Sequence, residues 1–228
     1  MAMSVSTKVP PDIHYPDSDG RPLGETPVHV RNSFDVFWEL DTFFLDDPQV
    51  YVAANMFVYY VQGDRNRHVS PDVFLVRGVP KHTVPERRSY RVWENNGKAP
   101  NLVIEITSAS TCEEDRDDKM TIYRDTLGVQ EYFLFDPYEE YLEPRLQGYR
   151  LRAGEFLPIE PISGRLPSEG TGLHLEADGW QLRLYDPATG KWLRTPQEER
   201  EARQQAEAEI ERLRRELEQL RIRLPGPP

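Results

Sequence analysis

One stretch limits the fold more than any other: an apolar strand, a helix and a second apolar strand follow one another within residues 101–136. Residues 101–107 (NLVIEIT) and 130–136 (QEYFLFD) are rich in β-branched and aromatic side chains, which favour strands. Residues 113–127 between them have helical character, and Gly128 follows at the position that helix C-caps favour. A strand–helix–strand unit of this kind is right-handed and pairs its strands side by side, which predicts an α/β fold.

Further helix and strand patterns surround this unit. The spacing of Thr111 and Glu114 fits a capping box at the start of the helix. Upstream, the sequence predicts a helix over residues 34–44, a strand over 50–61 and a strand over 69–77 (VSPDVFLVR). Downstream, short β-patterned segments alternate with turn residues at 149–152, 173–176, 180–185 and 192–194. These elements together predict a mixed β-sheet flanked by helices.

Composition divides the chain into three regions. Residues 1–30 are rich in proline and are typical of an extended lead-in, and residues 31–194 hold nearly all aromatic and β-branched residues. Residues 195–228 form a charged amphipathic helix with a proline-rich end, and its apolar residues alternate at spacings of four and three: Ala206, Ile210, Leu213, Leu217, Leu220 and Leu224. This pattern predicts a coiled coil, and hence a homodimer or another protein partner. Packing against the chain's own domain is the alternative.

Charge and composition exclude several functions. The formal net charge of −11 argues against a protein that coats DNA non-specifically. Residues 61–100 differ, because eight Lys or Arg against four Asp or Glu give a local balance of +4, which suits either a nucleic-acid contact or a solvated loop. The single cysteine, Cys112, excludes an intramolecular disulfide and a cysteine-based metal cluster. Residues 1–20 lack an apolar signal-peptide core and no stretch is long enough to span a bilayer, so we expect a cytoplasmic protein without membrane contact.

Two acidic residues belong to the apolar strands. Glu105 lies in the middle of the strand at 101–107, on the face opposite to Leu102, Ile104 and Ile106. A carboxylate buried there is costly unless a cation or a hydrogen-bond cluster accompanies it. Asp72 opens the strand at 69–77, so neighbouring strands would bring both carboxylates to one end of the sheet. Two like charges held close favour a hard divalent cation, and the few histidines, without an H-x₃-H pair, argue against zinc.

Lys119 supplies a positive charge on the helix that follows Glu105. Asp115, Lys119 and Tyr123 stand four residues apart and therefore lie on one helix face. From there, Lys119 could stabilise the charge that develops during phosphodiester hydrolysis or position the attacking water. The alternative for Lys119 is an exposed ion pair with Asp115. Tyr123 is interpreted as a core residue, although it could orient Lys119.

The order and spacing of these residues resemble a known family. The resemblance rests on SPDVFLVRGVP from Ser70, KAPNLVIEITSAST from Lys98, the pattern ED-x₃-K-x₃-Y, and LGVQEYFLFDP from Leu127. These strings are similar to the Uma-type putative restriction endonuclease family, which belongs to the PD-(D/E)xK nuclease superfamily. The resemblance covers roughly residues 34–190. It implies a restriction-endonuclease-like fold, a mixed β-sheet flanked by helices, and cleavage of DNA that depends on Mg²⁺, with Mn²⁺ as an alternative metal.

Carried over position by position, the resemblance implies catalytic roles for Asp72, Glu105 and Lys119. Asp72 and Glu105 would bind the metal, and the main-chain carbonyl of Ile106 would be a further ligand. The superfamily pattern E-x-K is not kept, because Thr107 occupies the position of the lysine. A threonine can hold a water but carries no positive charge, so the electrostatic role would pass to Lys119 on the next helix.

The sequence leads to one main hypothesis about function and to two alternatives. The main hypothesis is a Mg²⁺-dependent DNA endonuclease that hydrolyses phosphodiester bonds. The first alternative is a catalytically inactive relative that acts as a DNA-binding or protein-interaction module. A nucleotide-dependent α/β enzyme is disfavoured, because the chain has neither a GxGxxG string nor a P-loop. Many relatives add an acid from the first helix, for which Glu39 is a candidate here and Asn55 a weaker one.

Overall fold

A computed structural model describes residues 14–18, 25–108 and 115–223. The chain forms two compact units, Met1–Leu193 and Arg194–Pro228. The first unit contains, in chain order, α1 (Pro27–Phe43), β1 (Val50–Ala54), β2 (Val58–Tyr59), β3 (His68–Val69), β4 (Val73–Arg77), β5 (Tyr90–Arg91), a 3-10 turn (Val92–Asn95), β6 (Leu102–Ile106), α2 (115–127), β7 (Glu131–Phe135), β8 (Leu146–Arg152), β9 (Glu155–Pro158), β10 (Leu166–Pro167), β11 (His174–Asp178), β12 (Gln181–Asp186) and β13 (Lys191–Trp192). The second contains α3 (Pro196–Arg223).

The largest sheet is mixed, as the sequence predicts. Its six strands lie in the order β1-β4-β6-β7-β8-β9. Only β6 and β7 run parallel, with Ile104 opposite Phe133, and α2 forms the connection between them. Gly128 ends α2 with a φ of 63°, the left-handed conformation that glycine adopts without steric cost. The central strand–helix–strand unit is therefore confirmed, while the predicted capping box at Thr111 and Glu114 lies outside the described residues.

The two faces of this sheet pack into two separate cores. Alternate residues of β6 explain the division: Leu102, Ile104 and Ile106 point into one core, and Val103 points into the other. The first core also contains α1 and the antiparallel sheet β10-β11-β12-β13. The second contains Tyr123 and Leu127 of α2, together with the small sheet β3-β2-β5. Glu105 alternates with Ile104 and Ile106, so it lies on the face that α2 covers.

Three predicted elements differ from the observed ones at their boundaries. α1 begins at Pro27, with Thr26 as its N-cap, so the helix extends into the region predicted as an extended lead-in. The strand predicted over 50–61 divides into β1 and β2 at Asn55, whose φ of 48° is left-handed and tolerable for asparagine. The strand predicted over 69–77 divides likewise, because Asn55 N–H donates to the carbonyl oxygens of both Pro71 and Asp72 at 3.1 Å. The break leaves Asp72 just outside β4.

α3 is one helix of 28 residues with an apolar stripe that is exposed. Four of its large apolar residues are between 46% and 62% exposed: Ile210, Leu213, Leu217 and Leu220. Leu224 and the closing prolines lie outside the described residues. Among the described helices, none combines the length and apolar character needed to cross a membrane.

Candidate active site

Asp72 and Glu105 meet because of the register of two antiparallel strands. Val73 of β4 pairs with Ile104 of β6, so the residue before Val73 comes opposite the residue after Ile104. The Asp72 N–H donates to Glu105 Oε2 at 3.1 Å, and the Ile106 N–H donates to Asp72 Oδ2 at 2.7 Å. The backbone of each strand thus holds the carboxylate of the other. The Ile106 backbone therefore reaches Asp72 through its N–H.

α2 delivers two buried polar side chains to Glu105 and a third to Lys119. Tyr123 donates its hydroxyl hydrogen to Glu105 Oε1 at 2.7 Å, and Lys119 Nζ lies 3.3 Å from the same oxygen. Lys119 Nζ also donates to Asp115 Oδ1 at 2.8 Å. Lys119 and Asp115 are 8% and 1% exposed, so the alternative of a surface ion pair is wrong. The intervening Asp117 and Asp118 are exposed, which confirms that positions four apart form the inner face.

The local geometry of α2 fits this inner face. Asp115–Lys119 and Ile122–Leu127 adopt the wide π-helical form, in which hydrogen bonds join residues five apart. Tyr132 of β7 donates its hydroxyl hydrogen to the main-chain oxygen of Asp115 at 2.8 Å, which anchors the start of the helix to the sheet. Wide helical turns are rare and occur often at functional sites.

Burial and neighbouring charges shift the titration of this pair. Burial raises the pKa of Glu105, and the nearby charges of Asp72 and Asp115 raise it further, whereas Lys119 and the Tyr123 hydrogen bond lower it; the result is about 8. Burial lowers the pKa of Lys119, but the charges of Glu105 and Asp115 outweigh burial and raise it above its ordinary value. Lys119 is therefore a permanent cation. The positive charge near Glu105 does not offset its burial and the two neighbouring carboxylates.

The first helix reaches Asp72 from the other side. His29 Nε2 lies 3.1 Å from Asp72 Oδ2, at hydrogen-bond distance, and His29 Nδ1 lies 3.0 Å from Glu25 Oε2, close but out of line for a hydrogen bond. Burial lowers the pKa of His29, but the hydrogen bond and charge of Asp72, with the charge of Glu25, raise it to about 9. The Asp72 side chain is 12% exposed and that of Glu105 is 1% exposed, so the site opens on the Asp72 side.

The six groups form two arms that meet at the sheet. One arm is Glu25–His29–Asp72 and the other is Glu105–Lys119–Asp115, so each central carboxylate has a cation and each cation has an outer carboxylate. Four carboxylates and two cations, all ionised, carry a formal charge of −2. A divalent cation or additional protons would neutralise that excess, which agrees with the raised pKa of Glu105.

The structure brings most of the sequence-predicted residues together. Asp72, Glu105 and Lys119 form one cluster with the backbone of Ile106. Thr107 is 1% exposed, and its hydroxyl has no hydrogen-bond partner within the described parts of the chain.

The two candidates for an extra ligand lie elsewhere. The Glu39 carboxylate is 4.0 Å from Arg183 of β12, and the Asn55 side chain is exposed while its N–H supports the Asp72 backbone. The acid that approaches Asp72 is instead Glu25, which precedes the first helix and contacts His29.

Sequence reasoning missed His29 and Glu25 and gave Tyr123 too little weight. His29 and Asp72 are 43 residues apart, and no local pattern links them. One signal was present: Thr26-Pro27 is typical of a helix start, which would have placed His29 in the first turn. The inward phase of Tyr123 was recognised, but periodicity cannot show that its hydroxyl binds a carboxylate.

The basic segment at 61–100 is less free than its composition suggests. Lys81 is buried against the end of α1 and pairs with Asp41 at 3.0 Å, and Arg88 pairs with Asp17 at 2.6 Å. These two acids lie outside the segment, so they reduce its local excess of positive charge.

Comparison with known proteins agrees with the fold and with the family that the sequence resembles. A search of curated proteins gave no match. Among solved structures, a crystal structure of a nuclease from Anabaena variabilis, described as putative and as belonging to DUF820, is similar with a TM-score of 0.50 and 14% identity. The likeness covers 67% of this chain and 79% of that one, and it shows a shared fold. The family model Uma2, described as "Putative restriction endonuclease", matches residues 5–211. The chain therefore belongs to the Uma2 family.

Proposed function

We propose that the protein is a Mg²⁺-dependent DNA endonuclease that hydrolyses phosphodiester bonds at Asp72, Glu105 and Lys119. The observation that carries this proposal is the inward orientation of Lys119, whose ammonium group lies 3.3 Å from Glu105 Oε1. Thr107 stands where the superfamily pattern has its lysine, and Lys119 returns a cation to the same carboxylate. An inactive relative would have no need to keep this cation buried beside two carboxylates, where burial opposes its charge.

The donor set suits a hard divalent cation. Asp72, Glu105 and the Ile106 carbonyl offer oxygen ligands, which Mg²⁺ prefers and Mn²⁺ also accepts. The raised pKa of Glu105 supports this fit, because it reflects too little positive charge around the carboxylates. Glu25, His29 and Asp72 also have potential ligand atoms within 4.8 Å of one another. A divalent cation at Asp72 and Glu105 would supply a lowered pKa for a bound water and charge neutralisation at the phosphate.

The protein side chains then have separable roles. Lys119 stabilises the negative charge that develops at the phosphate, and Asp115 and Tyr123 restrict where Lys119 and Glu105 can move. His29 and the Ile106 N–H fix one oxygen of Asp72. These contacts come from three different elements of the fold, α1, β6 and α2, so the cluster is preorganised before DNA binds.

An exposed aromatic residue stands beside the open side of the site. Tyr138 is 47% exposed, and its hydroxyl lies 3.5 Å from the Thr26 hydroxyl, which accepts the His29 N–H at 3.2 Å. Asp136 holds the Tyr138 loop by accepting the backbone N–H groups of Tyr138, Glu139, Tyr141 and Leu142. A fixed aromatic ring at this place suits stacking on a nucleobase of the substrate.

The test is cleavage of plasmid DNA by the purified protein with Mg²⁺ or Mn²⁺. We expect nicked or linear product from the wild type, and a loss of at least about 100-fold for Asp72→Ala, Glu105→Ala and Lys119→Ala. Asp118→Ala is the matched control, because Asp118 lies on the same helix but is exposed, and it should cleave like the wild type. Chelation with EDTA should stop cleavage.

Two outcomes would count against the proposal. Equal cleavage by Lys119→Ala and wild type would remove the assigned role of the lysine. Absence of cleavage with either metal, while the protein still binds DNA, would favour the non-catalytic binding module.

We also propose that the enzyme is a homodimer. The exposed stripe of Ile210, Leu213, Leu217 and Leu220 on α3 supports this, since contiguous exposed apolar residues mark interaction surfaces. Removal of residues 195–228 should change the mass seen by light scattering from that of a dimer to that of a truncated monomer; a mass equal to two truncated chains would argue against dimerisation through α3.

A further inference from the structure

The apolar stripe of α3 has a definite heptad register. Alternation of three and four residues assigns Ile210 and Leu217 to the a positions, and Leu213 and Leu220 to the d positions. All four are exposed in the single chain, by 46–62%. The a position before Ala206 is occupied by Arg203, so the apolar part of the stripe begins at Ala206. A β-branched residue at a with leucine at d favours two helices per coil.

At the centre of the stripe, the flanking residues have opposite charges on its two sides. Glutamate occupies the g positions at 209 and 216, and arginine occupies the e positions at 214 and 221. In a parallel coiled coil, each g residue faces the e residue of the following heptad on the other helix. Glu209 then faces Arg214 of the second copy and Glu216 faces Arg221 of the second copy. Two-fold symmetry doubles these contacts, so four attractive pairs form and none is repulsive.

The antiparallel arrangement brings opposite charges together only towards the ends of the stripe and not at its centre. There, e positions face e positions and g positions face g positions. When the apolar layers are aligned, with Ile210 against Leu220 of the second copy, each Arg214 faces Arg214 of the second copy. Each Glu216 likewise faces Glu216 of the second copy. Like charges at the centre of so short an interface oppose pairing.

The ion pairs within a single α3 helix leave its flanking charged residues available for contacts with a second copy. Glu209 pairs with Arg212 at 2.6 Å and Glu216 lies 3.8 Å from the same arginine, but both glutamates remain solvent-exposed. Arg214 makes no ion pair with any residue that the structure describes, although its helix carries several such pairs on other faces. The Arg214 side chain can therefore turn to a second helix without breaking an ion pair.

We propose that α3 pairs with α3 of a second copy as a parallel, in-register, two-stranded coiled coil. This inference rests on the homodimer proposed above and adds the direction of its helices. Because α3 follows directly after the unit that ends at Leu193, parallel pairing joins both copies of that unit to the same end of the coil.

Disulfide trapping tests the direction. In a Cys112→Ser background, which removes the one native cysteine, Leu213→Cys and Leu220→Cys are each oxidised separately. Identical d positions face each other in the parallel coil, within the separation that a disulfide bridges, so each variant should give a covalent dimer on a non-reducing gel. In an antiparallel coil, neither single variant would cross-link, and only a chain carrying both Ile210→Cys and Leu220→Cys would.

Charge exchange tests the pairing rule in the full chain. Glu209→Arg/Glu216→Arg and Arg214→Glu/Arg221→Glu should each weaken self-association by roughly tenfold or more, because each makes all facing pairs alike in charge. A mixture of the two variants should recover the dimer as a heterodimer. The control is the swap Glu211→Arg/Arg215→Glu. Glu211 and Arg215 form an ion pair of 3.2 Å on another face of α3, and exchanging their charges should not change association.

The outcomes separate the linked proposals. A dimeric mass with cross-linking at 213 and 220 supports the parallel coil. A dimeric mass with cross-linking only between positions 210 and 220 overturns the direction but keeps the homodimer. A monomeric mass at all concentrations, or a mass above the dimer, overturns the coil. None of these measurements depends on cleavage, so an inactive protein would test them equally well.

Discussion

The two arms of the charged cluster differ in how firmly each is held. In the lysine arm, Glu105 and Asp115 are 1% or less exposed, and Lys119 carries a permanent charge whose pKa is raised. In the histidine arm, Asp72 keeps a side chain that is 12% exposed, and its cation, His29, can lose its proton at a pKa of about 9. The lysine arm is therefore held by a fixed cation. The cation of the histidine arm can lose its proton to solvent.

This difference assigns different tasks to the arms. A permanent buried cation cannot be replaced without leaving two buried carboxylates unpaired, which suits a group that stabilises charge on a substrate. A titratable cation next to the more open carboxylate can give up its role when a divalent cation arrives. We therefore expect mutation of the lysine arm to damage the protein more than mutation of the histidine arm.

The largest expected effect follows from Lys119→Met. The substitution keeps the length of the side chain but leaves Glu105 and Asp115 buried without their cation, so we expect about 3–5 kcal/mol of lost stability. The free energy of unfolding from urea titration measures it. Asp115→Asn added to Lys119→Met should recover part of the loss, because the double variant has one buried charge fewer. A loss below about 1 kcal/mol for Lys119→Met would contradict the description of the lysine arm as fixed.

The next effect is a dependence of metal-free stability on pH. Glu105 and His29 have folded pKa values of about 8 and about 9, above their ordinary values of 4.5 and 6.5. The folded protein thus binds more protons than the unfolded chain, so the stability they provide is complete at low pH and is lost as the pH rises through 8 and 9. In EDTA, the melting temperature should fall by on the order of 10 °C between pH 6 and pH 9.

Mg²⁺ or Mn²⁺ should flatten that dependence, since a divalent cation replaces the lost protons. His29→Gln should remove the part of the slope that lies between pH 6.5 and 9. A melting temperature that rises with pH in EDTA would contradict the raised pKa values.

A smaller effect is expected for His29→Gln at neutral pH. Asp72 keeps its hydrogen bond from the Ile106 N–H and its partial contact with solvent, so the loss should be about 1–2 kcal/mol. The difference from wild type should narrow in Mg²⁺, because the metal neutralises Asp72 in place of the imidazolium. Thermal melts with and without metal measure it. A loss equal to that of Lys119→Met would mean that the two arms are equivalent.

Local sequence preferences predicted the central fold well. β6, α2 and β7 were expected because runs of β-branched and aromatic residues flank a helix whose end is a glycine, and these preferences depend on near neighbours alone. The breaks at Asn55 and before Asp72 were not predicted. They depend on hydrogen bonds between two segments of the chain that meet only after the sheet forms.

The candidate site, like the fold, was predicted where it depends on local patterns and missed where it depends on long-range contacts. Strand alternation and helix phase place Glu105 and Lys119 on facing surfaces, and both periodicities can be read directly from the sequence. His29 and Glu25 were missed because a long-range packing contact alone brings α1 to Asp72. No alternation in the first helix distinguishes a histidine that binds a carboxylate from one that packs in a core.

The smallest effect comes from one hydroxyl group and has a close control. Tyr123 and Tyr132 are both fully buried, and each donates one hydrogen bond at 2.7–2.8 Å. Tyr123 donates to the Glu105 carboxylate, whereas Tyr132 donates to the main-chain oxygen of Asp115. Each Tyr→Phe change should cost about 1 kcal/mol of stability, measured by urea titration.

Function should separate the two tyrosines. Tyr123→Phe frees one oxygen of Glu105, so it should change the metal concentration needed for half-maximal cleavage several-fold. Tyr132→Phe acts only on the anchoring of α2 and should leave that concentration within experimental error of the wild type. Equal shifts for both variants would mean that the Tyr123 hydroxyl acts through the stability of α2 and not through Glu105.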